Sequence, residues 1–259
     1  MPDPRVIGMI PARYASTRLP GKPLLDIGGK TMIQRVYERV LQAGTLADAI
    51  VATDDQRICD AVTAFGGKAE MTSPDHASGT DRLAELARRT ECDVVVNVQG
   101  DEPLMDPAAI DAAVEPILTD ANLQMSTLSA RMSDVGEWQD NAVTKVVVDG
   151  QGYALYFSKA KIPFFRLTEE QLPESCVQHP VSGTYPLKHI GMYVYRRDFL
   201  IALSAMERTP LEISESLEQL RAIENGYRIR VVEVDYSPIS VDTPADLETV
   251  RAIAAKESV

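Results

Sequence analysis

I-P-A-R-Y-A-S-T-R-L-P-G-K-P, residues 10 to 23, is the stretch on which the fold turns. It follows Val6 to Ile10, an apolar run that reads as a buried first strand. Pro11, Pro20 and Pro23 each remove a backbone donor and fix φ, so the stretch cannot be a helix. It reads instead as a long, stiff loop at the carboxyl end of a strand, where open α/β sheets bind ligands. Ala12, Ala15, Ser16 and Gly21 are small enough to let a ligand reach the backbone. Arg13 and Arg18 offer forked donors and Lys22 a point charge, the two usual ways of holding phosphate oxygens. The loop is neither a Walker A sequence nor a G-x-G-x-x-G fingerprint. A solvated basic surface loop is the plainer reading. Against it stand the loop's length and its positive charge in an otherwise acidic chain.

Working outward, strand and helix signals alternate. Met32 to Leu41 carries a helical apolar face. Ala49 to Ala52 is a short strand, and Ile58, Val62 and Phe65 make a helical stripe closed by Gly66-Gly67. Ala69 to Met71 reads as a weak strand. Ser78 opens a helix through Leu83, Leu86 and Ala87. Asp93 to Val98 is apolar enough for a central parallel strand, and Pro107 to Leu118 reads as a helix. This alternation predicts a Rossmann-like, doubly wound, mostly parallel sheet. Val143 to Val148, Tyr153 to Phe157 and His189 to Tyr195 have no long helical pattern between them. They predict a smaller antiparallel insertion, about residues 143–195, within one domain spanning 1–259. Phe164 and Phe165 lie in a loop-like arm, Pro163 to Pro186, which reads either as a homodimer contact or as a local mini-core. The α/β pattern resumes with a helix over Glu212 to Ile223, a strand over Tyr227 to Val234 and a terminal helix from Asp242-Thr243-Pro244.

Composition bounds the function. The chain has 259 residues, enough for one large α/β domain, with 45% hydrophobic and 25% charged residues. A formal net charge of −12 makes nucleic acid and anionic membranes poor partners, so an anionic substrate needs the local cations of the loop. Three separated cysteines and no C-x-x-C suggest neither a disulfide framework nor a thiolate metal site. With no signal-peptide pattern and no membrane-length apolar run, a reducing cytoplasm is the expected home.

Several residues could carry chemistry, and each has a structural alternative. Asp101, in Gln99-Gly100-Asp101-Glu102-Pro103 after the most apolar strand, could hold Mg²⁺ or cap the next helix. Asp242 at the last strand-to-helix turn could do the same, and a cap is the simpler reading. Ser78 to Arg82 offers an anion or ribose site at a helix amino end, or only a capping box. His189 by itself reads as structural. Glu215 and Gln219, four apart, would share one helix face.

These motifs together resemble the acidic-sugar cytidylyltransferase family, in its CMP-Kdo synthetase form (Kdo, 3-deoxy-manno-octulosonate). Arg18 and Pro23 match the Kdo type of the signature loop, where sialic acid synthetases typically carry Lys and Asn. The resemblance spans nearly the whole chain and is strongest at Pro11 to Pro23, Gln99 to Pro103 and Val241 to Pro244. It implies transfer of CMP from CTP to the anomeric hydroxyl of Kdo, releasing pyrophosphate, for lipopolysaccharide biosynthesis. It implies Lys22, Arg13, Asp101 and Asp242 as catalytic residues, with Mg²⁺ on the two acids. Ala12, Arg13, Arg18, Lys22, Ser78, Arg82 and Gln99 would bind nucleotide, and His189, Glu215 and Gln219 the sugar. Lys188 and Lys159 stand where the family usually has Arg, and Thr144 precedes Lys145 where the family often has another pattern. Transfer to another acidic sugar is the nearest alternative. A non-catalytic nucleotide-binding module is a more distant one, because binding alone does not need two metal acids.

Overall fold

The computed structural model describes residues 4–15, 18–132, 134–165 and 185–257. Its scaffold starts with β1 (Val6–Ala12), which is buried on both faces. Parallel partners flank it, β4 (Asp48–Thr53) on one side and β6 (Val94–Asn97) on the other, and β5 (Ala69–Met71) continues beyond β4. β10 (Leu187–Arg196) runs antiparallel to β6 and to β7 (Met125–Arg131), and β11 (Ile229–Glu233) runs parallel to β7. Among the described residues the order is therefore β11-β7-β10-β6-β1-β4-β5, with β8 (Lys145–Val148) paired to β10 and β9 (Ala154–Ser158) paired to β8. A separate small hairpin, β2 (Asp26–Ile27) and β3 (Lys30–Thr31), follows the signature loop.

Period-two side chains explain why both faces are covered. Val6, Ile10, Val94 and Val96 face a core with Ile33, Val36 and Val40 of α1 (Met32–Val40), Ile58 and Val62 of α2 (Gln56–Ala64), and Ile110, Val114 and Ile117 of α4 (Pro107–Thr119). Ile7, Met9 and Val95 face the opposite core. That core holds Leu83, Leu86 and Ala87 of α3 (Gly79–Arg89) and Phe199, Leu200 and Leu203 of α6 (Arg197–Ala205). The short helix α5 (Val135–Gln139) carries buried Trp138. The expected doubly wound, mostly parallel sheet is thus present.

The expected antiparallel strands β8, β9 and β10 are found, and β10 is at the same time a central strand of the main sheet through its long pairings with β6 and β7. One expectation needs correction. The helix expected over Glu212 to Ile223 is two helices, α7 (Pro210–Glu215) and α8 (Leu220–Glu224), separated by Ser216 in a left-handed conformation with φ 56°. The break lets Arg221 grip buried Glu212 with two hydrogen bonds, at 2.7 and 2.5 Å. In an unbroken helix, residues nine apart would lie about 13 Å apart along the axis.

The arm spanning Pro163 to Pro186 lies mostly outside the described residues. At its start Phe165 packs on Trp138, with ring centroids 5.6 Å apart, while Phe164 is 85% exposed. The mini-core reading therefore describes Phe165, which packs on a buried ring.

The terminal helix α9 (Pro244–Glu257) docks through Leu247, Val250 and Ala254 onto Ile27 and Met32, and Val241 is buried in the same cluster. Arg251 Nε also donates to Asp26 O at 2.9 Å. This third core ties the chain's last turn to the hairpin behind the signature loop, and so fixes where Asp242 stands.

Candidate active site

The signature loop is held from within and from outside. Gly21, with φ 66°, donates its N–H to Tyr14 O at 3.2 Å and closes the loop on itself. A Cβ there would meet the Tyr14 ring at 3.1 Å in a backbone conformation that side chains disfavour. The Arg57 guanidinium lies over the Tyr14 ring, 3.3 Å from its centroid, and pairs with Asp55, the N-cap of α2. The loop ends in a single 3₁₀ turn, Lys22–Leu24, where the sequence predicted none. Pro23 is tolerated there because the first N–H groups of a helical turn have no internal partner.

Strand directions bring the acids to this loop. Because β10 is antiparallel to both β6 and β7, the strands β1, β6, β7 and β11 all point the same way. The segment after β11 then crosses the sheet edge toward β6. Val241 N donates to Asp101 O at 2.9 Å, and Tyr236 Oη donates to Leu104 O at 3.2 Å. Lys22 Nζ lies 2.7 Å from Asp101 Oδ2 and 3.2 Å from Asp242 Oδ1, and Arg18 reaches the same Asp242 oxygen at 3.0 Å. Lys22 reads from sequence as a solvated loop cation, yet its side chain is only 13% exposed.

Neither acid is a helix cap. Asp106 caps α4, accepting from Ala108 N at 3.0 Å. Thr243 Oγ1 accepts from Asp246 N, while the Asp246 carboxylate takes the N–H groups of Asp242 and Thr243. Both carboxylates are left for the loop cations. Beside them, burial pushes Glu102 up to about 8 and the Asp101 charge adds to that, so Glu102 contributes little negative charge at neutral pH.

A cleft of about 350 Å³ is lined by Ala12, Arg13, Arg18, Lys22, Gln99, Asp101 and Asp242, among others. Gly100 allows it to form, since a Cβ there would stand 2.7 Å from Pro11 O. Arg13 is braced by donating to His76 O at 2.6 Å. Gln99 Nε2 donates to Gly191 O at 3.0 Å, at the irregularity in β10 between Ile190 and Tyr193. That contact joins the cleft to a second cavity of about 430 Å³, lined in part by Thr144, Lys188, His189, Tyr193 and Gln219. His189 Nε2 sits 2.9 Å from Thr127 Oγ1, and its ring meets Phe157 edge-on at 4.9 Å. Burial pushes its imidazole down to about 3, so it is neutral at physiological pH. Gln219 is buried, and its Nε2 has no hydrogen-bond partner among the described residues.

Four residues fall elsewhere. The Ser78 hydroxyl caps α3, accepting from Asp81 N at 3.2 Å and donating to the Asp81 carboxylate at 3.0 Å, which is the capping role and not a ligand contact. Arg82 is fully buried and pairs with Asp54 at 2.6 Å, with Thr72 as a further partner, so its guanidinium is a core ion-pair member away from the cleft. Glu215 does not share a helix face with Gln219. It accepts from Ser158 Oγ at 2.6 Å, Lys159 N at 3.1 Å and Tyr156 Oη at 3.2 Å, which ties α7 to β9. Lys145, whose role the departure at Thr144 left in doubt, is a buried staple whose Nζ donates to the carbonyls of Asp140, Val143 and Lys159. It thereby holds the Ala142–Thr144 wall of the second cavity. Sequence reasoning also missed Thr127, whose polar strand hides it; its hydroxyl donates to Met192 O at 2.7 Å and orients His189.

A doubly wound sheet with a cationic loop after its first strand, facing two acids at the same edge, defines a site of the nucleotidyltransferase class. The cytidylyltransferase family model matches residues 7–229. The 3-deoxy-manno-octulosonate cytidylyltransferase of Geobacter metallireducens is 53% identical over 95% of this chain and 96% of its own, and that of Geotalea uraniireducens is 53% identical over 95% and 97%. The solved structure of CMP:2-keto-3-deoxy-manno-octonic acid synthetase complexed with CTP superposes with a TM-score of 0.89 at 46% identity, covering 98% of this chain and 99% of that one. The 4-diphosphocytidyl-2C-methyl-D-erythritol synthase of Anaerococcus prevotii, 13% identical with a TM-score of 0.61 over 97% and 99% of the two chains, shares the fold. The chain belongs to the cytidylyltransferase family, among the 3-deoxy-manno-octulosonate cytidylyltransferases.

Proposed function

We propose that this chain transfers CMP from CTP to the anomeric hydroxyl of Kdo, yielding CMP-Kdo and pyrophosphate for lipopolysaccharide biosynthesis. The observation that carries the reading is the convergence of Lys22 and Arg18 on Asp101 and Asp242 at the carboxyl edge of the sheet. The cleft would take the triphosphate, with Arg13, Arg18 and Lys22 on its oxygens, and the second cavity would take the sugar. The hydroxyl oxygen bonds to the α-phosphorus, the bond from that phosphorus to the bridging oxygen breaks, and the hydroxyl proton leaves to solvent. The loop cations stabilise the charge that develops on departing pyrophosphate. Gln99, which lines the cleft and donates to Gly191 in the wall of the second cavity, would orient the two substrates. Neutral His189 meets the sugar by hydrogen bonding and not by charge, and the orphan Gln219 amide supplies a further donor.

The donor set fits a hard divalent cation. Two carboxylates converge, and an ammonium already stands between them. Asp101 and Asp242 would hold Mg²⁺, which when bound polarises the α-phosphate.

The protein is proposed to be cytoplasmic and homodimeric. Among the described residues no helix is long and apolar enough to cross a membrane. Phe164 is 85% exposed, and Leu155 on the outermost strand β9 is 59% exposed, which supports a partner surface of a second copy. The test of function is pyrophosphate release from CTP with a panel of sugar acids, and from ATP and GTP with Kdo. Strong preference for CTP with Kdo is expected; comparable release with ATP or with a different sugar acid would overturn the reading.

A further inference from the structure

Lys22 stands where a cation would bind. Its ammonium bridges Asp101 and Asp242 at 2.7 and 3.2 Å, and Arg18 takes the same oxygen of Asp242 at 3.0 Å. Two positive and two negative side chains thus balance. A divalent ion entering this arrangement alone would meet an ammonium within contact distance, with like charges opposed. Nor do the acids make a complete site. Among the described residues no group of three or more His, Cys, Asp or Glu is placed to hold a metal. A magnesium ion held by two carboxylates completes its shell with substrate phosphates and water.

The same loop cations are those proposed for the triphosphate, so they cannot satisfy phosphates and carboxylates fully at once. Lys22 is able to change partners with little backbone motion. It has four rotatable side-chain bonds, whereas its backbone is fixed by the 3₁₀ turn and the Tyr14–Gly21 closure.

We propose that Lys22 is a resident counter-ion that keeps divalent metal out of the free enzyme, and that CTP opens the metal site by drawing Lys22 from the carboxylates onto its phosphates. This rests on the metal reading of Asp101 and Asp242 given above. Metal and nucleotide then bind with positive coupling, and by linkage each tightens the other equally. Lys22 has two jobs: it neutralises the acids before CTP arrives and the phosphates afterwards. A metal ion lodged in the free site, blocking the loop from its substrate, is avoided.

The experiment is titration of the intact protein with Mn²⁺, read by the electron paramagnetic resonance of free ion. Wild type is expected to bind Mn²⁺ weakly without nucleotide. Lys22→Met keeps the unbranched stem, one atom shorter, and removes its charge, and should bind Mn²⁺ tighter by about 5- to 150-fold, the usual range of site-to-site coupling. Lys22→Arg should stay weak. Adding Asp101→Asn to Lys22→Met should abolish the gain. Equal Mn²⁺ affinity of free wild type and folded Lys22→Met overturns the proposal. A separate measurement isolates the reading beneath it: enhancement of water proton relaxation by Mn²⁺ with protein and an α,β-methylene analogue of CTP. If Asp101→Asn and Asp242→Asn match wild type there, the two acids do not hold metal, and the proposal falls with them. If they lose the enhancement while free Lys22→Met gains nothing, only the counter-ion role is refuted.

Discussion

Asp242→Asn separates catalysis from folding, because the structure puts the two effects on different scales. The substitution keeps the shape of the side chain and removes its charge. Asp242 Oδ1 pairs with Arg18 at 3.0 Å and Lys22 at 3.2 Å, and its side chain is 45% exposed. Ion pairs this open to solvent contribute about 0.2 to 1 kcal/mol each. The helix cap is untouched, since Thr243 and Asp246 form it. Lys22 keeps Asp101 as a partner. The folded state should therefore lose about 1 kcal/mol, against a total stability of about 5 to 15 kcal/mol for an ordinary domain. Turnover should fall by about a hundredfold or more, the scale of removing one electrostatic stabiliser of the transition state. A loss of that size cannot come from unfolding when the protein remains almost wholly folded. The assays are thermal unfolding of the free protein and kcat for pyrophosphate release at saturating CTP, Kdo and Mg²⁺. Near-normal kcat with saturating metal would refute the two-acid site. The Asp101→Asn, Asp242→Asn pair should cost less than the product of the singles, because both would act through one ion.

Three further outcomes are expected. Asp54→Ala strands the fully buried Arg82 guanidinium and should cost roughly 3 kcal/mol in chemical denaturation, whereas Arg82→Met leaves an acid that still reaches water and should cost less; the reverse order would refute the ion-pair account. His189 has a folded-state pKa lowered to about 3, so the unfolded chain binds the extra proton between there and about 6.5, and stability contributed by the neutral ring is lost as pH falls through that window. His189→Gln should lose less stability than wild type between pH 6.5 and pH 4, and parallel pH profiles would show that the ring is not held neutral. Light scattering at micromolar concentration should find a dimer, and Phe164→Asp should shift it toward monomer; a monomeric wild type would dismiss the exposed aromatic as a contact.

What was legible in the sequence is what short-range physics decides. β1 and β6 are apolar runs, and α1, α2 and α4 show apolar faces behind good amino-terminal caps. β7 was not legible. Met125-Ser-Thr-Leu-Ser-Ala-Arg131 has no apolar alternation, and two of its buried hydroxyls reach distant carbonyls, Ser126 to Ala113 and Thr127 to Met192. Its strand is made by its neighbours β10 and β11. α6 is carried by the spacing of Phe199, Leu200 and Leu203, which mark one helical face. The place of β10 between β6 and β7 is a long-range fact that no local pattern carries.

The candidate site divides along the same line, and one local rule would have sharpened it. A helix amino end needs one good cap, and a Ser or Thr followed three residues later by an acid forms a reciprocal box. Applied to Ser78 and Asp81, the rule says that the hydroxyl is engaged with its own helix, as it is. Applied to Thr243 and Asp246, it says that the terminal helix is capped without Asp242, as it is. The same signal therefore weakens Ser78 as a ligand group and strengthens Asp242, whose carboxylate is left over at an already capped turn. No local rule finds the Arg82 ion pair, because Arg82 lies on α3 while its partner Asp54 follows β4, and its burial is a property of the assembled layers. Nor does one find Lys22 between the acids. That contact needs β1, β6 and β11 to point the same way and the segment after β11 to return across two strands, so the chemistry of each residue could be read in isolation but not the charge balance they make together.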